Sequence, residues 1–143
     1  MQNILYKDTK PFIPPITGGK VIKVYDGDTI TIASKLPYVD SELYRFSVRI
    51  KHIDCPEIRT NNPIEKRVGL LAKQFVYDKC YDKIVEIKNL STEKYGRILA
   101  DIFIDNINIG DELVKHRLAV RYDGGRKHVP NNWEEYYEHN NVV

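Results

Sequence analysis

The sequence has little that would staple, anchor or export a chain. Its 143 residues include two cysteines, Cys55 and Cys80. Two are too few for a disulfide framework, and they lack the paired spacing of a zinc site. No apolar run approaches the length needed to span a bilayer, so no membrane contact is expected. The first fifteen residues hold no apolar stretch of the kind a secretory leader carries, which points to an intracellular protein. An excess of one charge is also missing. Lys and Arg number 22 against 20 Asp and Glu, a formal net charge of +2, so total charge does not announce a polyanionic partner. Internal repeats and low-complexity segments are absent. What remains is an ordinary globular composition, 42% apolar, at a length that fits one domain able to bury a core unaided.

The pattern along the chain divides it into a lead-in, residues 1–19, and one domain, residues 20–143. Pro11, Pro14, Pro15, Gly18 and Gly19 make the lead-in extended rather than regular. Lys20–Tyr25 and Asp28–Ala33 flank Asp26-Gly27 and read as a hairpin, with glycine supplying a positive φ at the turn. In the next strand Tyr44, Phe46, Val48 and Ile50 fall on one face and Arg45, Ser47, Arg49 and Lys51 on the other. Ile53 breaks that alternation, so a bulge or bend is expected there. Apolar residues at 64, 68, 71, 75 and 76 predict a helix ending near Cys80. Residues 83–88 and 98–104 read as strands, followed by a short strand at 107–109. Asp111 reads as the cap of a short helix. Asn131-Asn132 caps another that carries Trp133, Tyr136 and Tyr137. The order predicts a small α+β domain, its strands closed into a barrel with about three helices outside.

Charge is clustered although it is balanced. Arg45, Arg49, Lys51, His52 and Arg59 form one basic group. Lys115, His116, Arg117, Arg121, Arg126, Lys127 and His128 form another. Either could be a phosphate footprint or ordinary solvated surface, and charge alone favours the surface.

Three segments carry groups suited to phosphate chemistry. Asp26-Gly27-Asp28-Thr29 is foremost a turn, but its turn role leaves Asp28, a hard oxygen donor, unexplained. Arg49 through Glu57 places an arginine, able to grip a phosphate through two hydrogen bonds, before Asp54-Cys55-Pro56-Glu57. Two carboxylates there could divide labour between a metal and a water. A surface ion pair is the plainer reading of this segment. Glu93-Lys94-Tyr95-Gly96-Arg97 sets two cations beside an aromatic ring, which suits nucleotides, or is simply a charged turn. A cysteine nucleophile at Cys55 with His52 as its base ranks low, because neighbouring strand residues alternate in direction.

In order and separation, the three segments together resemble those of staphylococcal nuclease-like (thermonuclease) domains, from about Lys20 to about Asn132. The resemblance implies an OB-fold with a five-stranded barrel. It implies hydrolysis of phosphodiester bonds in DNA or RNA, aided by one Ca2+ ion and leaving 3′-phosphate products. Carried over by position, Asp28 and Asp54 are the carboxylate metal ligands. Cys55, where the family usually has threonine, contributes its backbone carbonyl. Glu57 positions or deprotonates the attacking water, and Arg49 and Arg97 grip the phosphate. Lys94, Tyr95 and Tyr122 contact substrate. A monomeric enzyme is expected. The alternative is a non-catalytic OB-fold binding single-stranded nucleic acid. Asp28, Asp54 and Glu57 count against it, because three acids repel phosphate unless a cation sits among them.

Overall fold

The computed structural model describes residues 2–93, 95–125 and 129–139. Lys94, Arg126, Lys127 and His128 lie outside the described residues, as do Met1 and residues 140–143.

The chain folds as an α+β OB-type barrel. Strands β1 (Gly18–Asp26), β2 (Thr29–Lys35) and β3 (Leu43–Ile50) form an antiparallel meander. Strand β5 (Ile84–Thr92) pairs with β1 and with β6 (Ile98–Ile104), and β6 returns parallel to β3 to close the five-stranded ring. The alternation seen in the sequence fills the interior: Val21, Ile32, Val48, Ile50, Ala100 and Ile102 are fully buried. Each such valine or isoleucine contributes about 1.5–3 kcal/mol of burial, so the barrel supplies a rigid frame for anything mounted on its end.

The expected break at Ile53 is a turn over Lys51-His52, with His52 in the left-handed region at φ 68°. The two-residue strand β4 (Ile53–Asp54) follows and pairs with β8 (Val120–Arg121). This re-phasing buries Ile53 completely and delivers Asp54 and Cys55 to the end of the barrel.

Helix α1 (Pro63–Cys80) is capped by the Asn62 side chain, which accepts from the amides of Ile64 and Glu65. It buries Val68, Ala72, Val76 and Cys80 at four-residue spacing. Ile64, expected on that face, is exposed in the first turn. Helix α2 (Ile109–Lys115) follows the short strand β7 (Ile107–Asn108) directly. Its cap is Asn108, not Asp111; Asp111 lies in the first turn and donates its amide to Asn108 Oδ1 at 3.1 Å. Helix α3 (Trp133–Glu138) is capped by Asn132 as expected, and Trp133 is buried. In the lead-in, Tyr6–Asp8 forms one turn of 3-10 helix where an irregular chain was expected. Among the described residues, no helix is long and apolar enough to cross a membrane.

Candidate active site

The β1–β2 turn builds the first part of the site. The Asp28 amide donates to Asp26 Oδ1 at 3.1 Å, and Thr29 Oγ1 donates to Asp28 Oδ1 at 3.0 Å. From the second segment, the Cys55 amide donates to Asp28 Oδ2 at 3.3 Å. Gly27 is not in the left-handed region, so the expected reason for a glycine in this turn does not hold. The reason is closeness: a Cβ there would lie 2.8 Å from Ala72 Cβ and 2.9 Å from Cys55 Sγ. Helix α1 thus presses the turn and the Cys55 segment together.

Arg49 joins the first two segments. Its Nη1 donates to the carbonyls of Ile50 (2.8 Å) and Ile53 (3.1 Å), pinning the β3–β4 turn. Its Nη2 lies 2.9 Å from Asp54 Oδ1 and 3.6 Å from Asp28 Oδ2. The two carboxylates therefore face one guanidinium, and all three side chains are largely buried. Glu57 follows on a loop laid against α1. Its amide donates to Glu65 Oε2 at 2.8 Å, and a Cβ on Gly69 would lie 3.1 Å from its carbonyl oxygen.

Arg97 reaches the same place from the β5–β6 turn. Its Nη1 lies 3.4 Å from Thr29 Oγ1, a weak contact, while Glu93 clasps the guanidinium through both carboxylate oxygens. That hydrogen bonding, reinforced by the charges of Glu93, Asp28 and Asp26, raises the pKa of Arg97 further. Gly96 closes the turn at φ 86°.

The site is crowded with negative charge. Burial, followed by the hydrogen bond and charge of Asp28 and the charge of Glu57, pushes the Asp26 carboxyl up to about 7. Burial, with the charges of Asp28 and Asp26, pushes the Cys55 thiol well above its ordinary value. A thiol held protonated is no nucleophile, which agrees with the low rank given to that chemistry.

Carboxylates held together on rigid strands offer hard oxygens whose mutual repulsion a divalent cation would relieve, so the donor set fits one. Among the described residues no three His, Cys, Asp or Glu side chains converge as a ready cation cage. Arg49 takes that position between Asp28 and Asp54.

Beside this cluster lies a cavity of about 560 Å³, lined by Arg49, Lys51, His52, Glu93, Tyr95 and Tyr122 among others. Tyr122 is aimed there by a backbone bond from its amide to the His52 carbonyl, 2.8 Å. Of the sequence-derived site residues, Asp28, Arg49, Asp54, Cys55, Glu57 and Arg97 are brought together, and Tyr95 and Tyr122 flank them. Lys94 lies outside the described residues. Three members of the late basic cluster already have partners within the chain, while Lys115 is exposed. Arg121 pairs with Asp111, His116 stands near Glu112 and packs on Phe75, and Arg117 donates to the Tyr136 carbonyl. Reading by motif quoted Asp26 and Glu93 without giving either a role, and singled out neither Glu65 nor Gly69. The signal for Glu65 is Asn62-Pro63, a cap followed by a first-turn proline.

A closed five-stranded barrel that gathers acids and arginines at one end defines an OB-fold protein. Within that class, the chain belongs to the staphylococcal nuclease-like family: the family model described as "Staphylococcal nuclease homologue" matches residues 47–141. It is similar to an uncharacterised protein of Methanocaldococcus jannaschii, 36% identical over 128 residues, covering 73% of this chain and 58% of the relative. A probable endonuclease of Schizosaccharomyces pombe is 30% identical over 128 residues, covering 74% and 56%. An uncharacterised endonuclease of Haemophilus influenzae is 30% identical over 103 residues, covering 72% and 51%. The chain thus spans little more than half the length of these curated relatives.

Proposed function

We propose that this chain is a nuclease that hydrolyses phosphodiester bonds of DNA or RNA with the help of one Ca2+ ion. The observation that carries the reading is the convergence of Asp28, Asp54 and Arg49, with Arg97 reaching Thr29 beside them. Family membership and the endonuclease names of two relatives support it.

Asp28, Asp54 and the Cys55 carbonyl would hold the cation, which when bound supplies positive charge against the phosphate oxygens and the attacking water. Arg49 and Arg97 bind the phosphate and stabilise charge that grows in the transition state. Glu57 orients or deprotonates the water. Tyr95, Tyr122 and Lys94 contact the nucleotide, Tyr95 and Tyr122 within the 560 Å³ cavity. Water attack breaks the bond to the 5′ oxygen, so the products carry 3′-phosphates.

The test is release of acid-soluble nucleotides from heat-denatured DNA. Release is expected with Ca2+, weaker release with Mg2+, whose octahedral demands suit an irregular site poorly, and none in EDTA. Arg97→Ala should lose roughly 10³-fold or more in rate. Full activity in EDTA would sink the metal assignment. A folded protein that retains DNA on a filter without cutting it under any divalent cation would establish the non-catalytic binding module instead.

A further inference from the structure

Two more cavities lie on the other side of Tyr95 and Arg97. One, about 420 Å³, is lined by Phe12, Pro14, Arg45, Phe46, Tyr95 and Arg97, among others. The next, about 250 Å³, is lined by Lys23, Tyr25, Thr31, Ser47 and Arg97, with Thr29. Tyr95 also lines the 560 Å³ cavity, and Ser47 and Arg97 are common to the two smaller ones. Strand register explains the continuity. Thr31 stands opposite both Lys23 and Ser47, and Ala33 stands opposite Arg45, so these residues form rows across β1, β2 and β3. The three cavities therefore follow one another across a single surface, past the Asp28–Arg97 cluster.

The two smaller cavities share a chemistry. Among the described residues, both are lined by cations and neither by a carboxylate. Arg45 and Lys23 form no salt bridge among the described residues, whereas Arg97 is already balanced by Glu93. Phe12, 71% exposed, comes from the lead-in and stands with Phe46 and Tyr95 around one hollow. The exposed rings of Phe12 and Tyr95 beside Arg45 suit a flexible polyanion with planar groups, which describes single-stranded nucleic acid. A duplex keeps its base faces covered and could not use the rings.

We infer that the hollow between Phe12, Phe46 and Tyr95 is a second nucleotide subsite. Here an unpaired base of a polynucleotide stacks while Arg45 holds the adjoining phosphate. Lys23, in the adjoining cavity that Arg97 and Ser47 also line, extends the cationic track beyond the hollow. The inference rests on the nuclease reading for its substrate. Phe12, Arg45 and Phe46 all precede residue 47, where the family match begins.

Binding separates this inference from catalysis. Fluorescein-labelled oligothymidylates of two and ten nucleotides are titrated with the full chain in EDTA, and fluorescence anisotropy is followed. Phe12→Ala should weaken the ten-mer about tenfold, as expected for one lost stacking contact, and Phe12→Tyr should restore it. Arg45→Ala should lower the slope of log affinity against log salt by about 0.7, one phosphate contact on a single strand. Circular dichroism melts confirm that each variant is folded. Unchanged ten-mer affinity in both Ala variants, or no ten-mer binding by the parent chain, overturns the subsite. The expected binding pattern without cleavage under any divalent cation keeps the subsite and removes the nuclease. Cleavage with unaltered variant affinities removes the subsite alone.

Discussion

Arg49 shows how much one side chain can hold. Three of its contacts are geometric: two backbone carbonyls and Asp54, at 2.8, 3.1 and 2.9 Å. Lysine would keep the charge but not the fork. Arg49→Lys should therefore loosen the β3–β4 turn and destabilise the fold by about 1–3 kcal/mol, read by urea denaturation. A change below about 0.5 kcal/mol would show that charge alone is what the site needs. The sequence set Arg49 on the strand face opposite Val48 and Ile50, which fill the barrel. It could not show that the guanidinium caps the carbonyls one and four residues on, because that depends on how the chain bends after Ile50. The cysteines offer a second test at this scale. Both are free and buried; burial pushes the Cys80 thiol up to about 11 and the Cys55 thiol well above its ordinary value. The thiolate is the reactive form, so raising the pH to 9 still leaves both protonated. Neither should react with a disulfide reagent in the native protein on a timescale of minutes, and both should react in denaturant. Rapid native labelling at neutral pH would show that the Cys55 segment opens.

At the scale of elements, helix α1 is the platform of the site. Gly69 lets the Pro56-Glu57 backbone lie directly on it: a Cβ would come 2.9 Å from the Pro56 carbonyl oxygen and 3.1 Å from that of Glu57. In an open helix, Gly→Ala gains up to about 1 kcal/mol. Here the obstructing atoms are backbone and cannot swing aside. Gly69→Ala should instead destabilise by about 1–3 kcal/mol and lower nuclease activity at least tenfold, because Glu57 is displaced. Thermal melts and the DNA-release assay check both; a stabilised variant with full activity would show that the loop can lift away without consequence. Local patterns predicted the elements well where one face is buried, as in β2, β3 and α1. They misjudged details set by contacts across the fold. Asn108 rather than Asp111 caps α2 because β7 hands over to the helix without a loop. Gly27 answers to Ala72 and Cys55, residues far along the chain, rather than to the turn that contains it.

In the whole molecule, the candidate site is assembled by barrel closure. Asp28 lies at the start of β2, Asp54 after β3 and Arg97 before β6. The parallel β3–β6 pairing, which sets Arg49 opposite Leu99, brings the last of these to the others. The three motifs were legible as a set because of the family resemblance. The closure itself was not, since a parallel pairing between distant strands leaves no local signature. Nor were the acids that hold the site in place, Glu65 and Glu93, whose partners appear only in the fold. This long-range assembly has a thermodynamic consequence. In the unfolded chain Asp28 and Asp54 are separate, so a cation held by both binds the native state almost exclusively. Linkage then requires Ca2+ at a hundredfold excess over its dissociation constant to add about 2.7 kcal/mol of stability. For a chain of this size that is a rise in melting temperature on the order of 5–10 °C. Asp28→Asn keeps the turn and removes one of the two proposed carboxylate ligands, so its melting temperature should hardly respond to Ca2+. Calorimetry with Ca2+ and with EDTA measures both. If Ca2+ leaves the parent protein's melting temperature unmoved at concentrations that support cleavage, the cation is not held by Asp28 and Asp54 together.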